Sequence, residues 1–397
     1  MLLVGYAAFK GYAAPVLMFF LPWSTILKIS QGSLSFFTFA LLMVCGIYWL
    51  KERFLIHRYY ILFSAGALLL TVFSKLLSAY SFDNSYLMFM ALLFLFPLLM
   101  KEIDRNYDFR YLTVLLSVGI IVAALTAQYL VIYPNIAKYI DVYSFRDITR
   151  LSGYYGDPNF YSAHITAALA GVMMLLMKKT EAKERVWLIL LAVVLVYCGL
   201  LSASKAFVLL LVCLAFLLVM QALFMRGKMS LKLSVILGVV FAIVFLLTSE
   251  LFSDLISVIQ IRFGDFTNLS DLTTGRSEIW ESYAQLFSED AKTLLIGQGF
   301  TNVKHTGWGS HNTVLQLVYQ FGIVGIGLLV GWFVSYYRTT FSSRRLEAQS
   351  WICVVILLVG VLGPWMSIDI LFFDEFFLMQ FYLLAGLYWM TAPKDAS

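Results

Sequence analysis

Two cationic side chains of this chain stand where predicted helices begin. Lys205 follows the short turn 201–204, and Arg276 follows the polar run 273–275. Because the N-terminus of a helix carries partial positive charge and attracts anions, a cation there is explained if a bound anion, such as a phosphate, completes the site. A lysine that reaches lipid headgroups explains Lys205 equally well. The pattern therefore predicts either an anion-binding site or an anchor at a membrane surface.

Two arginines lie upstream, in the polar connection 133–157. Arg146 and Arg150 are four residues apart, so on a helix they would share one face. That face is either a solvated helix surface or a clamp for an anion. The connection ends at Asp157, a good N-cap, and Pro158, a good first helical residue for the next apolar segment. We interpret Asp157 as a cap rather than as a catalytic residue.

His311 stands at the start of a long apolar segment. At that position a helix dipole would disfavour the imidazolium, so the ring would stay neutral and able to accept a proton. His311 is thus a candidate general base, although a histidine that caps a helix or packs at the interface is the commoner case. The next residue, Asn312, would either orient a substrate or cap the helix.

The longest polar stretch of the chain runs from Leu251 to Ser310 and carries Arg276. Apolar residues recur there at helical spacing over 277–289, which predicts an amphipathic helix lying at the membrane interface. They are Ile279, Trp280, Tyr283, Leu286 and Phe287. The glycine-rich stretch 295–300 lacks the Lys-Ser/Thr ending of a phosphate loop. We expect the whole stretch to act as a lid over residues from other connections.

These polar groups are embedded in a very apolar chain. Of its 397 residues, 61% are hydrophobic and 13% are charged, with a mean hydropathy of +0.85. Soluble domains average roughly 25% charged residues, so the sequence predicts an all-α polytopic membrane protein. Apolar stretches able to cross a hydrocarbon core of about 30 Å predict about twelve transmembrane helices. They lie near 4–27, 33–50, 59–80, 86–100, 111–133, 158–177, 186–201, 205–225, 231–250, 311–337, 350–368 and 371–391.

The predicted spans leave no soluble domain of ordinary size between them. We therefore expect residues 1–397 to form a single integral membrane domain, with 251–310 as a large extracytoplasmic loop before the last three spans. Lysine and arginine collect in every second loop, which predicts that those loops and both termini are cytoplasmic. The net charge of +5 is then a topology signal, so no nucleic-acid partner is expected. The four cysteines fall inside apolar spans, which favours packing over a disulfide framework or a zinc site.

Several short motifs occur in order along the chain. They are Gly156-Asp157-Pro158-Asn159, Ser202-x-Ser204-Lys205, Thr274-Gly275-Arg276-x-x-Ile279-Trp280, Gly297-x-Gly299, and His311-Asn312 followed by Gly322-x-x-Gly325. In this order, with a large loop before the last three spans, the chain resembles the O-antigen polymerase and O-antigen ligase family of bacterial envelope glycosyltransferases. The resemblance covers most of the chain and implies a membrane glycosyltransferase fold of the C type (GT-C).

The resemblance also implies a substrate, an oligosaccharide linked to undecaprenyl pyrophosphate at the extracytoplasmic face of the bacterial cytoplasmic membrane. Transfer of the glycan to a sugar hydroxyl needs cations at the leaving pyrophosphate and a base for the proton. The implied base is His311, and the implied binding residues are Arg146, Arg150, Asn159, Lys205, Arg276 and Asn312. Besides membrane lipids, the expected partners are the flippase and the chain-length regulator of the same polysaccharide pathway.

The chain departs from the family's pattern at Lys205, where arginine is usual. Lysine keeps the charge but loses the bidentate geometry, so Arg146 or Arg276 would carry more of the binding. The first outer connection, 28–32, contains no acidic residue. The paired carboxylates that hold a metal in many lipid-dependent glycosyltransferases therefore have no evident counterpart, and we expect catalysis with neither a metal nor a cofactor.

Three activities fit this sequence. Within the family, a polymerase joins repeat units and a ligase moves the finished glycan to a lipid A core; we favour the polymerase because it occurs more widely. The third activity is that of a flippase for the same lipid-linked sugar, because about twelve helices is also a common transporter size. Transporters place ionisable groups near the bilayer midplane within repeated halves. Here no internal repeat is seen, and the unexplained charges lie at one predicted face.

Overall fold

The structure of the chain is a computed structural model. It describes residues 1–24, 36–51, 56–78, 80, 85–103, 108–130, 132–133, 143–145, 148–155, 157–177, 181–224, 257, 260, 273, 275–301, 303–305, 307, 309–341, 344–346, 351–370 and 375–393. Within these residues the fold is helical, apart from four strands of three residues each.

The helices and strands have the following bounds. The helices are α1 (Leu2–Lys10), α2 (Ala13–Phe20), α3 (Phe36–Lys51), α4 (Arg58–Leu76), α5 (Ser85–Met100), α6 (Phe109–Leu130), α7 (Pro158–Met177), α8 (Ala182–Leu201), α9 (Lys205–Phe224), α10 (Arg276–Glu289), α11 (Ala291–Ile296), α12 (Thr313–Phe341), α13 (Trp351–Leu362) and α14 (Glu375–Trp389). Strand β1 (Tyr143–Phe145) pairs with β2 (Ile148–Arg150), and β3 (Arg344–Leu346) pairs with β4 (Thr391–Pro393). Short 3-10 turns, Leu21–Trp23 and Gly363–Met366, follow α2 and α13.

Many of these helices have the length and composition of membrane-crossing segments. Among the described residues, α4, α6, α7, α8 and α12 are long and apolar enough to cross a membrane. Shorter apolar helices include α3, α5, and α13 with its 3-10 turn. The helix bounds follow the predicted spans from 33–50 to 205–225 and from 311–337 to 371–391, whereas the predicted span 231–250 lies outside the described residues. This pattern of apolar helices is that of a helical membrane protein.

The first predicted span, 4–27, is wrong as a single helix. α1 ends at Gly11, whose backbone is left-handed with φ of 88°. The N–H of Tyr12 donates to the carbonyl of Ala7, and the N–H of Gly11 donates to that of Ala8. This is a Schellman cap, for which glycine is favoured because it has no Cβ. Hydropathy does not detect such a break, because the residues on both sides of it are apolar.

A buried carboxylate then fixes the start of α2. Glu102 is 1% exposed and accepts the backbone N–H groups of Ala13 (2.9 Å) and Ala14 (3.1 Å), as well as the hydroxyl of Tyr48. A carboxylate is favourable at a helix N-terminus because the free N–H groups there carry partial positive charge. These three donors replace the water that a buried charge has lost. The predicted first span is thus two helices, the second of which begins beside the end of α3.

The chain divides into two compact units. Unit 1 comprises residues 1–112, 269–345 and 365–397, and unit 2 comprises residues 113–268 and 346–364. Helix α6 begins in unit 1 and continues in unit 2. The single membrane domain of 1–397 stays a prediction.

Unit 1 is built on the antiparallel pair α4 and α12. Small residues let the two helices approach closely: a Cβ at Gly66 would lie 3.1 Å from Leu328, and a Cβ at Gly331 would overlap the ring of Phe63. Close contact through glycines is typical of helices that pack inside membranes, where van der Waals contact replaces the hydrophobic driving force. The pair therefore forms the rigid scaffold of this unit.

Basic residues gather at the helix termini of one end of unit 1. Four basic residues lie in or beside the helix termini at one end: Lys51, Arg58, Lys101 and Arg338. That end is tied together by the hydroxyl of Tyr336, which donates to the carbonyl of Met100 (3.1 Å). His311 precedes α12 and lies at the opposite end. Lys75 and Lys292 lie at the same end as His311, so the predicted alternation of basic loops and the membrane side that each end faces stay predictions.

Unit 2 is centred on α7. Of the apolar window of α7, 78% is buried, against 28% for α8, so α7 is the core helix and α8 is peripheral. α7 packs against α8, α9 and α13. α8 and α9 form a tight hairpin, in which a Cβ at Gly199 would overlap the ring of Phe207. The turn of this hairpin carries Ser202 and Ser204, and Lys205 follows it.

Candidate functional site

Arg150 ends a short hairpin rather than lying on a helix. β1 and β2 are antiparallel, and Tyr143 lies opposite Arg150. The predicted helix carrying Arg146 and Arg150 is therefore wrong, and Arg146 itself lies outside the described residues. The aromatic and β-branched residues of 143–149 favour paired strands, and a spacing of four residues between two arginines does not by itself select a helix.

The guanidinium of Arg150 is buried and held by a backbone carbonyl. Arg150 is 4% exposed, and its Nε donates to the carbonyl of Ser202 at 2.8 Å. Next to it, the N–H of Leu151 donates to the carbonyl of Leu201 at 3.0 Å. A buried charge needs such hydrogen bonds in place of water. The two bonds bring Arg150 to the turn between α8 and α9, about fifty residues further along the chain.

The turn between α8 and α9 is fixed by its two serines. The Oγ of Ser202 donates to the carbonyl of Gly199 at 2.6 Å, and the Oγ of Ser204 donates to Oδ1 of Asn159 at 2.8 Å. Between them, Ala203 is left-handed with φ of 48°, which costs a residue with a Cβ about 1–2 kcal/mol. Lys205 is the first residue of α9 and is half-buried. Its predicted place in the first turn of a helix is confirmed.

Asp157 caps α7. Its Oδ1 accepts the backbone N–H of Asn159 at 2.8 Å and the side-chain Nδ2 of Asn159 at 2.7 Å, with Pro158 as the first helical residue. The interpretation of Asp157 as a cap is confirmed. The side chain of Asn159 thus joins Asp157 on one side to Ser204 on the other, so it ties the start of α7 to the start of α9. Its predicted role in binding pyrophosphate stays a prediction.

Unit 2 thereby assembles a cationic corner, a name we use for Arg150, Asn159, Ser202, Ser204 and Lys205. Arg150 bonds to the residue three positions before Lys205, and Asn159 bonds to the residue directly before it. The start of α9 adds the partial positive charge of a helix N-terminus, whereas the start of α7 already holds the carboxylate of Asp157. Two cations beside a helix N-terminus suit an anion that carries several oxygens, such as a pyrophosphate.

In unit 1, His311 precedes α12 instead of starting it. α12 begins at Thr313, and the Oδ1 of Asn312 accepts the N–H groups of Val314 (2.9 Å) and Leu315 (3.3 Å). The expectation that His311 begins the helix is wrong, because the side chain of Asn312 caps it one residue later. Of the two roles considered for Asn312, the capping role is confirmed. The dipole effect falls off beyond the first turn, so it bears on His311 less strongly than expected.

The turn that carries His311 is held by Asp369. One carboxylate oxygen of Asp369 accepts the Oγ of Ser310 (2.5 Å) and the N–H of Asn312 (2.9 Å), and the other accepts the N–H of His311 (3.0 Å). A Cβ at Gly309 would overlap this carboxylate, so the close approach requires glycine. His311 itself is left-handed with φ of 46°. Asp369 therefore supports the strained backbone of a candidate base.

Helix α10 holds the same turn from another side. The indole Nε1 of Trp280 donates to the carbonyl of Ser310 at 3.0 Å. α10 begins at Arg276, directly after Gly275 in a left-handed conformation, and its bounds match the predicted helix 277–289 to within one residue. Tyr283 is the buried residue of this helix. The place of α10 at the membrane interface stays a prediction.

The glycine-rich stretch 295–300 is a packing junction. α12 is interrupted at Gly322 (φ 63°), and the carbonyl of Tyr319 accepts the N–H of Gln298 at 2.9 Å. A Cβ at Gly322 would overlap the backbone of Leu295, and one at Gly297 would overlap the backbone of α12. Gly297 and Gly322 therefore let α11 and α12 meet backbone to backbone, which explains the positions of these two glycines without a bound phosphate.

The pKa values of two side chains near this junction, Asp290 and Tyr283, are shifted from their ordinary values. Asp290 is the N-cap of α11. The hydroxyl of Thr293 donates a hydrogen bond to the carboxylate of Asp290 and thereby holds the pKa of that carboxylate below its ordinary value. Burial raises the pKa of Tyr283 to about 12; the N–H of His305 opposes this effect, and the charge of Asp369 adds to it. Tyr283 is therefore neutral at physiological pH and acts by packing.

The structure brings the predicted site residues together in two groups. Arg150, Asn159 and Lys205 belong to unit 2, and Arg276, His311 and Asn312 belong to unit 1. Convergence of all six on one pocket stays a prediction. Among the residues that the structure describes, no group of three histidines, cysteines or acidic residues is placed to hold a metal ion.

Sequence reasoning missed Asp369 as a member of the site. Its partners lie 57 to 59 residues away in sequence, so no local pattern links them. One signal was available: Asp369 lies between Ile368 and Ile370, in the short connection between the last two predicted spans. A carboxylate in such a place calls for buried donors to satisfy it.

Comparisons of the chain with protein-family models, with curated proteins and with solved structures found no match. The functional interpretation depends on the geometry of these two groups and on the order of the sequence motifs.

Proposed function

We propose that the chain is a glycosyltransferase that polymerises oligosaccharide repeat units linked to undecaprenyl pyrophosphate, in the synthesis of O-antigen, capsule or exopolysaccharide. The observation that carries the proposal is the cationic corner, in which residues of two separate motifs are joined by the Ser204–Asn159 hydrogen bond beside Arg150 and Lys205. The enzyme has a GT-C-like fold of about twelve spans. It acts at the outer face of the bacterial cytoplasmic membrane, with both termini in the cytoplasm.

The cationic corner binds the leaving group. In the reaction, the bond between the anomeric carbon and a pyrophosphate oxygen breaks, and the lipid pyrophosphate leaves with the bonding electrons. Arg150 and Lys205 stabilise the negative charge that develops there. The bond from Nε of Arg150 to Ser202 orients the guanidinium before substrate arrives, so little reorganisation is needed at the moment of reaction.

His311 takes the proton of the acceptor. A hydroxyl of the acceptor sugar attacks the anomeric carbon, forms the new glycosidic bond, and gives its proton to the imidazole. Asp369 and Trp280 support the backbone of this turn from two sides. The side chains of the protein supply the positive charge, so we propose that the reaction needs no divalent metal.

The experiment that tests this proposal incubates the purified chain with its lipid-linked repeat unit and resolves the products by glycan length. A ladder of lengths is the expected result. With lipid A core added, a single transfer to the core and no ladder would replace polymerase by ligase. Movement of the lipid-linked sugar across proteoliposomes without ATP, with glycan length unchanged, would replace the enzyme by a flippase.

A further inference from the structure

One face of α9 is exposed and apolar along the helix. Four residues make this face, and we call them the α9 stripe: Leu209 (65% exposed), Val212 (61%), Phe216 (62%) and Leu223 (47%). At 3.6 residues per turn, all four point within about 40° of the direction of Lys205. The stripe therefore continues, on one face of one helix, from the lysine of the cationic corner.

The opposite face of α9 packs inside unit 2. Phe207 and Leu214 are fully buried there, and the helix contacts α7 and α13. One face of α9 is thus packed against unit 2, and the α9 stripe is the face that points outward. The distance along the axis from Lys205 to Leu223 is about 27 Å, from 1.5 Å per residue. This is close to the hydrocarbon thickness of a bilayer, about 30 Å.

The neighbouring helix α8 provides a comparison. It also exposes apolar residues, among them Val193 (60%) and Tyr197 (46%). At the end of α8 that meets the start of α9, the sequence from Leu188 to Leu201 contains no cation. Its basic residues, Lys183 and Arg185, stand at the other end. Of these two exposed faces, the one on α9 begins at a cation of the candidate site.

We propose that the α9 stripe binds the polyisoprenoid chain of the lipid-linked donor while its pyrophosphate lies at the cationic corner. This inference rests on the proposed function and deepens it. A donor made of a pyrophosphate and a long apolar chain needs a cationic site that continues directly into an apolar surface. Lys205 belongs to both surfaces, which sets the direction in which the chain leaves the site.

The site is expected to bind the donor through its pyrophosphate and not through its isoprenoid chain. Inside a bilayer, an isoprenoid chain gains little by leaving other lipid tails, because those tails are equally apolar. The stripe therefore cannot enrich the donor through hydrophobic burial alone. The charge-assisted hydrogen bonds of the pyrophosphate at Lys205 supply the affinity, and the stripe only guides the attached chain. Occupancy of the stripe is thus expected to depend on Lys205.

The test places a photoreactive benzoylphenylalanine at Val212 or, as a matched control of equal exposure, at Val193 of α8. The full chain is held in phosphatidylcholine nanodiscs and exposed to one of two radiolabelled probes, undecaprenyl pyrophosphate carrying a sugar or uncharged undecaprenol. With the first probe, labelling at Val212 should exceed labelling at Val193 by about tenfold, because one hydrogen bond to a charged group changes the affinity by about this factor. Lys205→Ala should remove that excess and Lys205→Arg should retain it. Undecaprenol should give no excess.

Equal labelling at Val212 and Val193 would overturn the proposal. So would an excess that survives in Lys205→Ala or that undecaprenol also gives, because the stripe would then be an ordinary bilayer-facing surface. Labelling does not require turnover, so the outcome is separate from the fate of the proposed function. A glycan ladder without excess labelling would remove the stripe alone, whereas excess labelling without a ladder would leave donor binding and remove the polymerase.

Discussion

At the scale of single residues, Asp369 is the most informative side chain of unit 1. Its carboxylate accepts two backbone N–H groups and one hydroxyl from three consecutive residues, 310–312. A hydrogen bond to a charged group contributes about 1.5–3 kcal/mol, enough to hold His311 in a left-handed backbone conformation that costs a residue with a Cβ about 1–2 kcal/mol. The proposed base is therefore carried by a turn whose shape depends on a residue remote in sequence.

Replacement of the proposed base is the first prediction. His311→Ala should lower kcat by about 100-fold or more, since a positioned general base contributes about 10²–10⁴ in rate. The measurement is glycan extension by purified protein that keeps the thermal unfolding temperature of the wild type. His305→Ala is the matched control, because His305 is an exposed histidine of the same connection whose ring meets Tyr283 edge-on at 5.5 Å. Extension at the wild-type rate by His311→Ala would remove the base.

The second prediction concerns Asp369, which supports the turn that carries His311. Asp369→Asn should lower kcat by about tenfold to 100-fold, because the amide cannot accept all three hydrogen bonds. Hydrogen exchange at the amides of His311 and Asn312 should become faster, which a loss of activity through another cause would not produce. Asp108→Asn, a change to a partly exposed carboxylate paired with Arg110, should alter neither quantity. Unchanged exchange at 311–312 in Asp369→Asn would contradict the supporting role.

The residues of the site differ in how far the sequence predicts them. Asp157 and Asn312 are recognisable as caps because capping depends on residues two or three positions away. The role of Arg150 and the part played by Asp369 depend on partners more than fifty residues distant. Local spacing contains no information on such pairs, and it predicted a helix where Arg150 lies on a strand.

At the scale of elements, the junction between α11 and α12 determines where the His311 turn lies. The interruption of α12 at Gly322 separates its first two turns from the scaffold pair of α4 and α12. Those two turns bond instead to the segment after α11, through Tyr319 and through Gln320, whose amide pairs with the backbone of Thr301 at 2.8 Å in both directions. α10, α11 and the start of α12 therefore act as one supporting element.

The third prediction tests this junction. Gly322→Ala should reduce stability by about 1–3 kcal/mol, because the new Cβ would overlap Leu295 and the backbone is left-handed. Gly327→Ala on the same helix has no heavy atom within 4 Å of its Cβ, so it should leave stability unchanged or raise it by about 0.5–1 kcal/mol. Thermal unfolding in detergent distinguishes the two variants. Equal unfolding temperatures would contradict the tight junction.

The fourth prediction concerns the cap of α11. Asp290→Ala should cost about 1 kcal/mol at pH 7 through loss of the cap. Because hydrogen bonding lowers the pKa of Asp290 in the folded state, the charged cap stabilises the fold above the unfolded pKa of about 3.9. This contribution of the charge to stability is lost as the pH falls through the pKa of Asp290 in the folded state. The difference in unfolding temperature between wild type and Asp290→Ala should therefore narrow between pH 4 and pH 2.

Glu289→Ala serves as the control for this cap. Glu289 is exposed and bonds to Gln285 within its own helix, so its removal should change stability by less than about 0.5 kcal/mol at pH 7. A difference between wild type and Asp290→Ala that stays constant down to pH 2 would show that the charge of the cap contributes nothing.

Elements themselves were largely predictable. Helices α3 to α9 and α12 to α14 follow the predicted apolar spans because hydropathy and length select membrane helices directly. The exception is the first span, where Gly11 caps α1 among apolar neighbours. The interruption at Gly322 was not predicted for the same reason, because a glycine inside an apolar run can equally well be a small packing residue of a continuous helix.

At the scale of the whole molecule, basic residues lie at both ends of unit 1. Lys51, Arg58, Lys101 and Arg338 lie opposite the end that carries His311, and Lys75 and Lys292 lie at the same end as His311. In unit 2 the cationic corner gathers motifs that the sequence scatters over about fifty residues. We propose that the cationic corner stabilises an anionic leaving group and that His311 accepts a proton, the two functions that glycosyl transfer from a lipid pyrophosphate requires.

The most direct test of glycan transfer from a lipid pyrophosphate measures both products of the reaction in one assay. The purified chain is given its lipid-linked repeat unit, and the undecaprenyl pyrophosphate released is counted against the glycosidic bonds formed. Our account predicts one lipid pyrophosphate for each new bond, in the presence or absence of chelator, and loss of both products together in His311→Ala. Release of lipid pyrophosphate without bond formation, or a reaction abolished by chelator, would contradict it.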